Sequence, residues 1–319
     1  AKITGTGAAE FLDRLIANRI PKKAGRVNLC HALSYGGGVH SEYTIIKESD
    51  TSFYVVSAGA LQSVDHDWIR KHMPEDGSVQ FTNVTNAMGV LVIAGPKART
   101  LMERVSPRTD FSNAAFPWLS SRWIDAGHAP TLAARVNYVG ELGWELHHPI
   151  EYQNHIFDRL MEAGADLGIK PFGIRAMDTM RMEKSYRMMG TELSIEYAAL
   201  EAKLDRFVHL NKGDFIGRDA LVKWQEKGFA NELVTMRIDG VEDADVLGGN
   251  PLFHNGEMVG RATSGNYGFR VGQSLALAMV PPALAAIGTK FTIDILGKRF
   301  DAQIIEESPF DPDNEKLRA

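Results

Sequence analysis

Residues 138–145, with the sequence Tyr-Val-Gly-Glu-Leu-Gly-Trp-Glu, constrain the fold more than any other segment of the chain. Their alternation and their aromatic side chains predict an extended strand. Gly140 and Gly143 would let another backbone, or a flat ligand, approach closely. A carboxylate fixed beside such a gap can accept two parallel hydrogen bonds from a planar pair of N–H donors. The alternative is an antiparallel strand whose outward carboxylates are simply solvated.

The order of predicted elements indicates an α+β protein with two domains. In the first part, helices alternate with strands that would form mixed or antiparallel sheets. Helices are predicted at residues 8–20, 61–72, 97–105, 152–167 and 174–189. Strands are predicted up to residue 35 and at residues 39–47, 53–57, 79–84, 89–94, 119–125 and 131–138.

The character of the sequence changes near residue 226. Short extended segments separated by Gly, Asn and Asp then dominate, which is typical of a small β-barrel or sandwich. These segments are residues 233–238, 258–264, 275–280, 290–296 and 299–305. We therefore predict one domain at 1–225 and a C-terminal β-barrel domain at 226–319, followed by a polar surface tail at 310–319.

Composition excludes several classes of protein. The formal net charge of −5 argues against a general nucleic-acid binder, which needs excess Lys and Arg for phosphate contacts. Cys30 is the only cysteine, so neither an intrachain disulfide nor a cysteine-based zinc motif can form. Its apolar neighbours predict a core position.

No apolar run approaches the ~20 residues that span a bilayer, and no signal peptide is recognisable. We expect the cytoplasm, or the mitochondrial matrix in a eukaryote.

Two motifs are similar to a dinucleotide-binding turn and to a metal-binding histidine pair, but their neighbouring residues do not support either function. Gly5-Thr6-Gly7 joins a strand to a helix, as in dinucleotide-binding folds, but Glu10 stands at the third small position and would repel a pyrophosphate. This turn therefore predicts no flavin or nicotinamide site in the chain itself. His147 and His148 would point to opposite faces of a strand and cannot chelate one metal, so we expect ordinary surface histidines and no metal site.

The helix predicted at 174–189 carries Arg175, Asp178 and Arg181 along one flank. That spacing allows a partly buried ladder of ion pairs, and it also allows contact with an anionic ligand. The segment Gly37-Gly38-Val39-His40-Ser41-Glu42-Tyr43 is a turn that feeds a strand with an acidic residue near its start. Neither feature identifies a function by itself.

Taken together, these segments resemble the glycine cleavage T-protein family of tetrahydrofolate-dependent aminomethyltransferases. The resemblance spans nearly the whole chain. Within the family the chain is most similar to the folate-binding C-terminal half of dimethylglycine and sarcosine dehydrogenases. The segments that carry the family resemblance are residues 3–5 with 11–12, 37–43, 138–145, 173–190, 212–218 and 263–265. The segments that indicate the dehydrogenase branch are residues 181–187, 196–204 and 310–319. The abrupt start of the chain agrees with a fragment of a longer flavoprotein, or with completion by a partner, because the opening segment of the family is absent here.

The resemblance implies a role for each of several residues. Glu145 would grip the pteridine ring, Tyr138 would line the folate pocket, and Glu42 would replace the catalytic aspartate of T-proteins. Ser57 lies in a strand–turn that contributes folate contacts. Met177 stands where the family has a folate-contacting arginine, so that contact is absent or is replaced by Arg175 or Arg181.

The resemblance also implies the chemistry. Tetrahydrofolate would capture, as 5,10-methylenetetrahydrofolate, the one-carbon unit released when a flavin enzyme demethylates an N-methyl amine of the dimethylglycine or sarcosine type. FAD would belong only to a missing N-terminal domain or to a partner subunit. Three alternatives stay open: a free-standing T-protein working with a lipoyl carrier, the folate half of a trimethylamine N-oxide demethylase, and a non-catalytic folate-binding protein of iron–sulfur assembly.

Overall fold

The computed structural model describes residues 1–319 and contains three sheets, the last of which closes into a barrel. In the first part the strands are β1 (Lys2–Thr4), β2 (Val27–Leu33), β3 (Val39–Ser49), β4 (Ser52–Val56), β5 (Gln80–Thr82), β6 (Met88–Ala94), β7 (Ser121–Ala126), β8 (Ala129–Ala134) and β9 (Gly143–Pro149). The helices there are α1 (Ala8–Leu15), α2 (Gln62–His72), α3 (Ala98–Val105), α4 (Gln153–Ala163), α5 (Ile174–Met182) and α6 (Arg218–Lys227).

The first two sheets are antiparallel and face each other. Sheet one has the strand order β2-β3-β4-β1-β5, and sheet two has the order β6-β9-β8-β7. Val27, Ile46 and Tyr54 of sheet one pack with Leu132 and Ala134 of sheet two in a small buried cluster. Side chains two residues apart on β3 and on β9 therefore point into the same space between the sheets.

The opposite faces of these sheets are covered by helices. Amphipathic α1 and α2 bury their apolar stripes against one side of sheet one, where Phe11, Leu12, Tyr43 and Trp68 share a core. Helices α3 and α4 cover sheet two in the same way around the fully buried Trp144. Each sheet therefore has one face sealed by helices and one face turned toward the other sheet.

The C-terminal strands form a closed six-stranded barrel and not a sandwich. The predicted α+β fold with a C-terminal β-barrel is therefore confirmed. The strands are β10 (Glu232–Ile238), β11 (Pro251–His254), β12 (Glu257–Gly268), β13 (Gln273–Val280), β14 (Lys290–Ile295) and β15 (Lys298–Ile305), in the order β10-β13-β12-β11-β14-β15. Leu233, Leu275 and Met279 on the barrel share one core with Leu33 and Val39 of sheet one. The division at residue 226 stays a prediction.

Several predicted elements have different limits. The segment 138–145 is not one strand, because Asn137 Oδ1 accepts hydrogen bonds from the backbone N–H groups of Val139 and Gly140 and holds a turn there. Strand β9 begins only at Gly143. A Cβ at Gly143 would meet the carbonyl oxygen of Ile93 at 2.3 Å, so this glycine admits a neighbouring strand and not a ligand.

The helix predicted at 174–189 ends at Met182. Ser185 has φ +55°, in the left-handed region, and cannot continue a helix. The predictions missed α6 and the short strand β11, which lacks strong alternation. The predicted tight turn at Gly5 is confirmed by the hydrogen bond from the Ala8 N–H to the Gly5 carbonyl oxygen, and a Cβ at Gly5 would lie 2.1 Å from the carbonyl oxygen of Ser78.

The C-terminal residues lie mostly at the surface, as their polarity predicts, but they are anchored to the rest of the protein. Helix α7 (Glu315–Arg318) buries Leu317, and Lys184 Nζ donates to the carbonyl oxygens of Phe310 and Asp311. Cys30 is buried, as predicted. No helix in the structure has both the length and the apolar character needed to cross a membrane.

Candidate functional site

The candidate site lies between sheets one and two and is built from five side chains. Glu42 of β3 and Tyr54 of β4 lie on the face of sheet one that is turned toward sheet two. Glu145 and His147 of β9 lie on the facing side of sheet two, and Tyr138 precedes that strand. We call these five residues the central site.

A buried histidine holds Glu42. His31 lies directly opposite Glu42 in the β2–β3 register, and its Nε2 is 3.0 Å from Glu42 Oε2. The ring is fully buried, and its Nδ1 has no hydrogen-bond partner. A buried N–H without a partner costs roughly 1–3 kcal/mol, so the proton is best placed on Nε2, where it is donated to the carboxylate. Glu42 is thereby held as an acceptor in one orientation.

Glu145 has a similar arrangement. His147 Nε2 lies 3.2 Å from Glu145 Oε2, and His147 Nδ1 lies 3.3 Å from the hydroxyl of Tyr54. The Tyr54 ring meets the imidazole edge-on. Burial, and then the charges of Glu145 and Glu48, raise the pKa of Tyr54 to about 12, so its hydroxyl keeps its proton. The other oxygen of Glu145, Oε1, has no partner within the protein.

Two valines place an apolar surface beside this carboxylate. In the β6–β9 register Val92 lies opposite Glu145, and Val90 lies opposite His147, so all four side chains share one face of the sheet. Val90 and Val92 are 44% and 42% exposed, although both are large apolar residues on a strand. A flat ring with a polar edge would cover the valines while its edge meets Glu145.

Tyr138 forms the rim of the central site. Its hydroxyl donates to the carbonyl oxygen of Arg187, and its ring stacks on Tyr186 at 5.9 Å between centroids. Burial raises the pKa of Tyr138, and the charge of Glu42 raises it further, against the opposing effect of Arg181. The phenol is therefore neutral and supplies an aromatic face with its polar end fixed.

A buried ion-pair network supports this rim. Arg181 is 1% exposed and donates to Asp178 at 2.7 Å, to Glu192 at 3.4 Å and to the carbonyl oxygen of Tyr186. Glu192 is fully buried and also accepts from Ser264 of β12 at 2.6 Å. The network therefore joins α5, the segment after it and the barrel.

The remaining predicted residues lie outside the central site. Ser57 follows β4 and interacts with Asp65 of α2, on the helix-covered side of sheet one. Arg175 is exposed on the first turn of α5 and forms no ion pair, so it does not extend the predicted ladder. The ladder consists of Arg181 and Asp178 alone. Because Arg181 is enclosed by protein partners, its placement does not support a direct ligand contact.

Family comparisons agree with this architecture. The GCVT N-terminal domain matches residues 1–212, and the glycine cleavage T-protein C-terminal barrel domain matches residues 231–311. The chain belongs to the glycine cleavage T-protein family. The predicted resemblance is thus confirmed at the level of the family.

Individual members of the T-protein family align along most of the chain. Human dimethylglycine dehydrogenase is 37% identical over 307 residues, which are 96% of this chain but only 35% of that protein. An aminomethyltransferase of Thermoanaerobacter sp. (strain X514) is 30% identical over 96% of this chain and 82% of its own length. The crystal structure of aminomethyltransferase T from Bartonella henselae superposes with a TM-score of 0.86 at 20% identity, covering 98% of this chain and 83% of that one, which shows a shared fold.

Sequence reasoning missed part of the central site. His147 was expected at the surface, but it and His148 are both fully buried and face opposite sides of β9. The spacing of two between Glu145 and His147 was the available signal, because it places them on one face of a strand. Nothing local marked His31 or Tyr54, whose partners lie 11 and 93 residues away in sequence.

Arg181→Leu tests whether the buried network stabilises the fold. Removing one member of a buried pair leaves the other charge uncompensated, so the free energy of unfolding should fall by about 3–5 kcal/mol. Urea denaturation measures the loss. Arg159→Leu is the control, because Arg159 pairs with Glu162 at the surface and should change stability far less. Equal effects of the two substitutions would contradict the assigned role of Arg181.

Proposed function

We propose that this chain binds tetrahydrofolate in the central site and transfers a one-carbon unit as an aminomethyltransferase-type enzyme. The observation that carries the proposal is the arrangement around Glu145. A partly exposed carboxylate, with one oxygen free of protein partners, stands beside the exposed faces of Val90 and Val92. An apolar surface with a few placed polar groups is the usual composition of a small-molecule site.

The residues present fit a reduced folate. Its aminopyrimidine edge offers a planar pair of N–H donors, which a carboxylate can accept side by side. Glu145 has Oε1 and the second lone pair of Oε2 for that purpose, while His147 occupies the remaining position. Tyr138, whose hydroxyl already donates to the carbonyl oxygen of Arg187, would supply an aromatic ring beside the bound folate.

Bound tetrahydrofolate would supply the N5 and N10 nitrogens that carry the one-carbon unit. The chain itself contributes orientation and charge. Glu145 and Tyr138 fix the ring, which removes the entropic cost of alignment from the reaction. Glu42, held by His31, places a negative charge that stabilises a cationic one-carbon donor and accepts a proton. Such electrostatic stabilisation is worth about 3 kcal/mol in a partly dry site.

We include Arg175 in the proposal only as a peripheral contact. Arg175 is an exposed cation without an ion pair, one turn before Asp178 on α5, and is suited to the carboxylates of a folate tail. Ser57 is not included, because it interacts with Asp65 on the helix-covered side of sheet one. Arg181 and Met177 are not included.

Two sources of the one-carbon unit are supported by different observations. The 37% identity to human dimethylglycine dehydrogenase, and the glutamate at position 42, favour capture from an N-methyl amine oxidised by a flavin-dependent domain or partner. The aminomethyltransferase that this chain covers to 82% favours a free-standing T-protein that takes its unit from an aminomethyl carrier. We propose the first as the main function and keep the second as the alternative.

Supplying each donor in a separate reaction distinguishes these functions. With tetrahydrofolate present, the protein should accelerate formation of 5,10-methylenetetrahydrofolate when a flavin dehydrogenase oxidises dimethylglycine or sarcosine in the same solution. The rate in buffer with the dehydrogenase alone is the baseline. Acceleration only with an aminomethyl-lipoyl carrier would establish the alternative.

Glu145→Gln should weaken binding of tetrahydrofolate about 100-fold. The substitution keeps the shape of the side chain, removes the negative charge and replaces one acceptor oxygen with an NH2 donor. The charge-assisted hydrogen bonds to the ring are therefore lost. Isothermal titration calorimetry measures the affinity. Glu151→Gln, in the exposed turn that follows β9, is the matched control and should bind like the parent protein. Unchanged binding by Glu145→Gln would remove this residue from the site.

Glu42→Gln should leave the affinity for tetrahydrofolate within about threefold and lower the rate of one-carbon capture about 100-fold, as expected when a charge that acts only in the transition state is lost. Rapid-quench measurement of product formation, with the affinity determined separately, resolves the two effects. Glu10→Gln serves as the control, because Glu10 is exposed on α1, the helix that covers the opposite side of sheet one. A normal capture rate in Glu42→Gln would contradict the catalytic assignment.

A further inference from the structure

His147 of the central site is fully buried, and both of its ring nitrogens have polar partners. Its Nδ1 lies 3.3 Å from the Tyr54 hydroxyl of sheet one, and its Nε2 lies 3.2 Å from Glu145 Oε2 on its own strand. The ring thus connects the two facing sheets. No cluster in the structure is arranged to hold a metal ion, so metal binding does not explain its placement.

The chemistry of the partners fixes the direction of the hydrogen bonds. A carboxylate only accepts, so the bond to Glu145 needs the proton on Nε2. A neutral imidazole then carries a lone pair on Nδ1, which must accept. The Tyr54 hydroxyl is buried and protonated, and it supplies the donor. The Tyr54 hydroxyl therefore donates to His147 Nδ1, and His147 Nε2–H donates to Glu145. The Tyr54 hydroxyl and both imidazole nitrogens then each have a hydrogen-bond partner.

We propose that His147 is a positioning residue for folate recognition, which sets the orientation of Glu145 through the Tyr54–His147–Glu145 relay. The inference rests on the proposed function, in which Glu145 grips the ring. By occupying one position on Oε2, the imidazole leaves Oε1 and one lone pair of Oε2 to face the space beside Val92. The carboxylate is therefore aligned before the ligand arrives, and binding does not have to order it.

The neighbouring histidine shows that this arrangement is specific to position 147. His148 is equally buried on the same strand, but it points to the opposite face, where its Nδ1 contacts the carbonyl oxygen of Leu146 and its Nε2 contacts Gln153. It does not touch the central site. His148 therefore serves as a control of the same residue type, burial and element.

The first measurement needs no ligand. Nitrogen-15 NMR of the full chain, assigned by the loss of signals in His147→Gln, reports which ring nitrogen of His147 carries the proton. The relay requires the proton on Nε2, and Tyr54→Phe should change the Nδ1 signal because its donor is gone. A proton on Nδ1 in the parent protein would overturn the inference whatever the protein binds.

The second measurement is the affinity for 5-formyltetrahydrofolate, a stable reduced folate, by calorimetry. His147→Leu should bind at least tenfold more weakly, and Tyr54→Phe should bind several-fold more weakly. His147→Gln should stay within threefold of the parent, because a glutamine amide nitrogen can take the place of Nε2 and donate to Glu145. His148→Gln should bind normally.

The outcomes separate this inference from the proposed function. If the parent protein binds the reduced folate and both His147→Leu and Tyr54→Phe keep its affinity, only the positioning role is overturned. A parent protein that does not bind it overturns the proposed function and the recognition role together. Equal weakening in His147→Leu and His148→Gln also overturns the positioning role, because general loss of packing would then explain both.

Discussion

The buried charges of residues 181–192 are the constraint on which the rest of the molecule depends. Arg181 and Glu192 are both almost fully enclosed, and an enclosed charge is tolerated only when its partners are close and correctly oriented. Asp178, Ser264 and the carbonyl oxygen of Tyr186 supply those partners from the helix, the barrel and the chain between them. These elements can therefore meet in only one arrangement, and Tyr138, stacked on Tyr186, takes its position from it.

The two carboxylates assigned to function share one design. Each has a buried histidine on one oxygen, His31 for Glu42 and His147 for Glu145, and each keeps part of its acceptor capacity facing the space between the sheets. A carboxylate with no internal partner would sample several rotamers and would lose that freedom on binding. In the proposed function, ring recognition and one-carbon chemistry belong to two preorganised acids on the facing sides of sheets one and two.

The sequence predicted the class of fold, five of the six barrel strands and the strand that carries Glu42. It failed where a local pattern was overruled by distant contacts. The helical pattern continues past Met182, yet Ser185 turns left-handed because its hydroxyl interacts with Thr235 and with the backbone N–H of Ser308, 50 and 123 residues away. The burial of His147 likewise depends on a facing sheet, and alternation along one strand carries no information about what covers it.

Arg270, in the loop between β12 and β13, connects the barrel to the turn that leads into β9. It donates to Glu183, which is 1% exposed, and at 2.9 Å to Glu141, four residues before Glu145, while its guanidinium stacks on Phe310 at 3.7 Å. Were the barrel to separate from the sheets, two acids would lose their only shared counter-ion, and the turn that leads into β9 would lose its anchor. Removal of the Arg270 side chain from the barrel is therefore expected to loosen the turn that carries Glu141 and leads into β9.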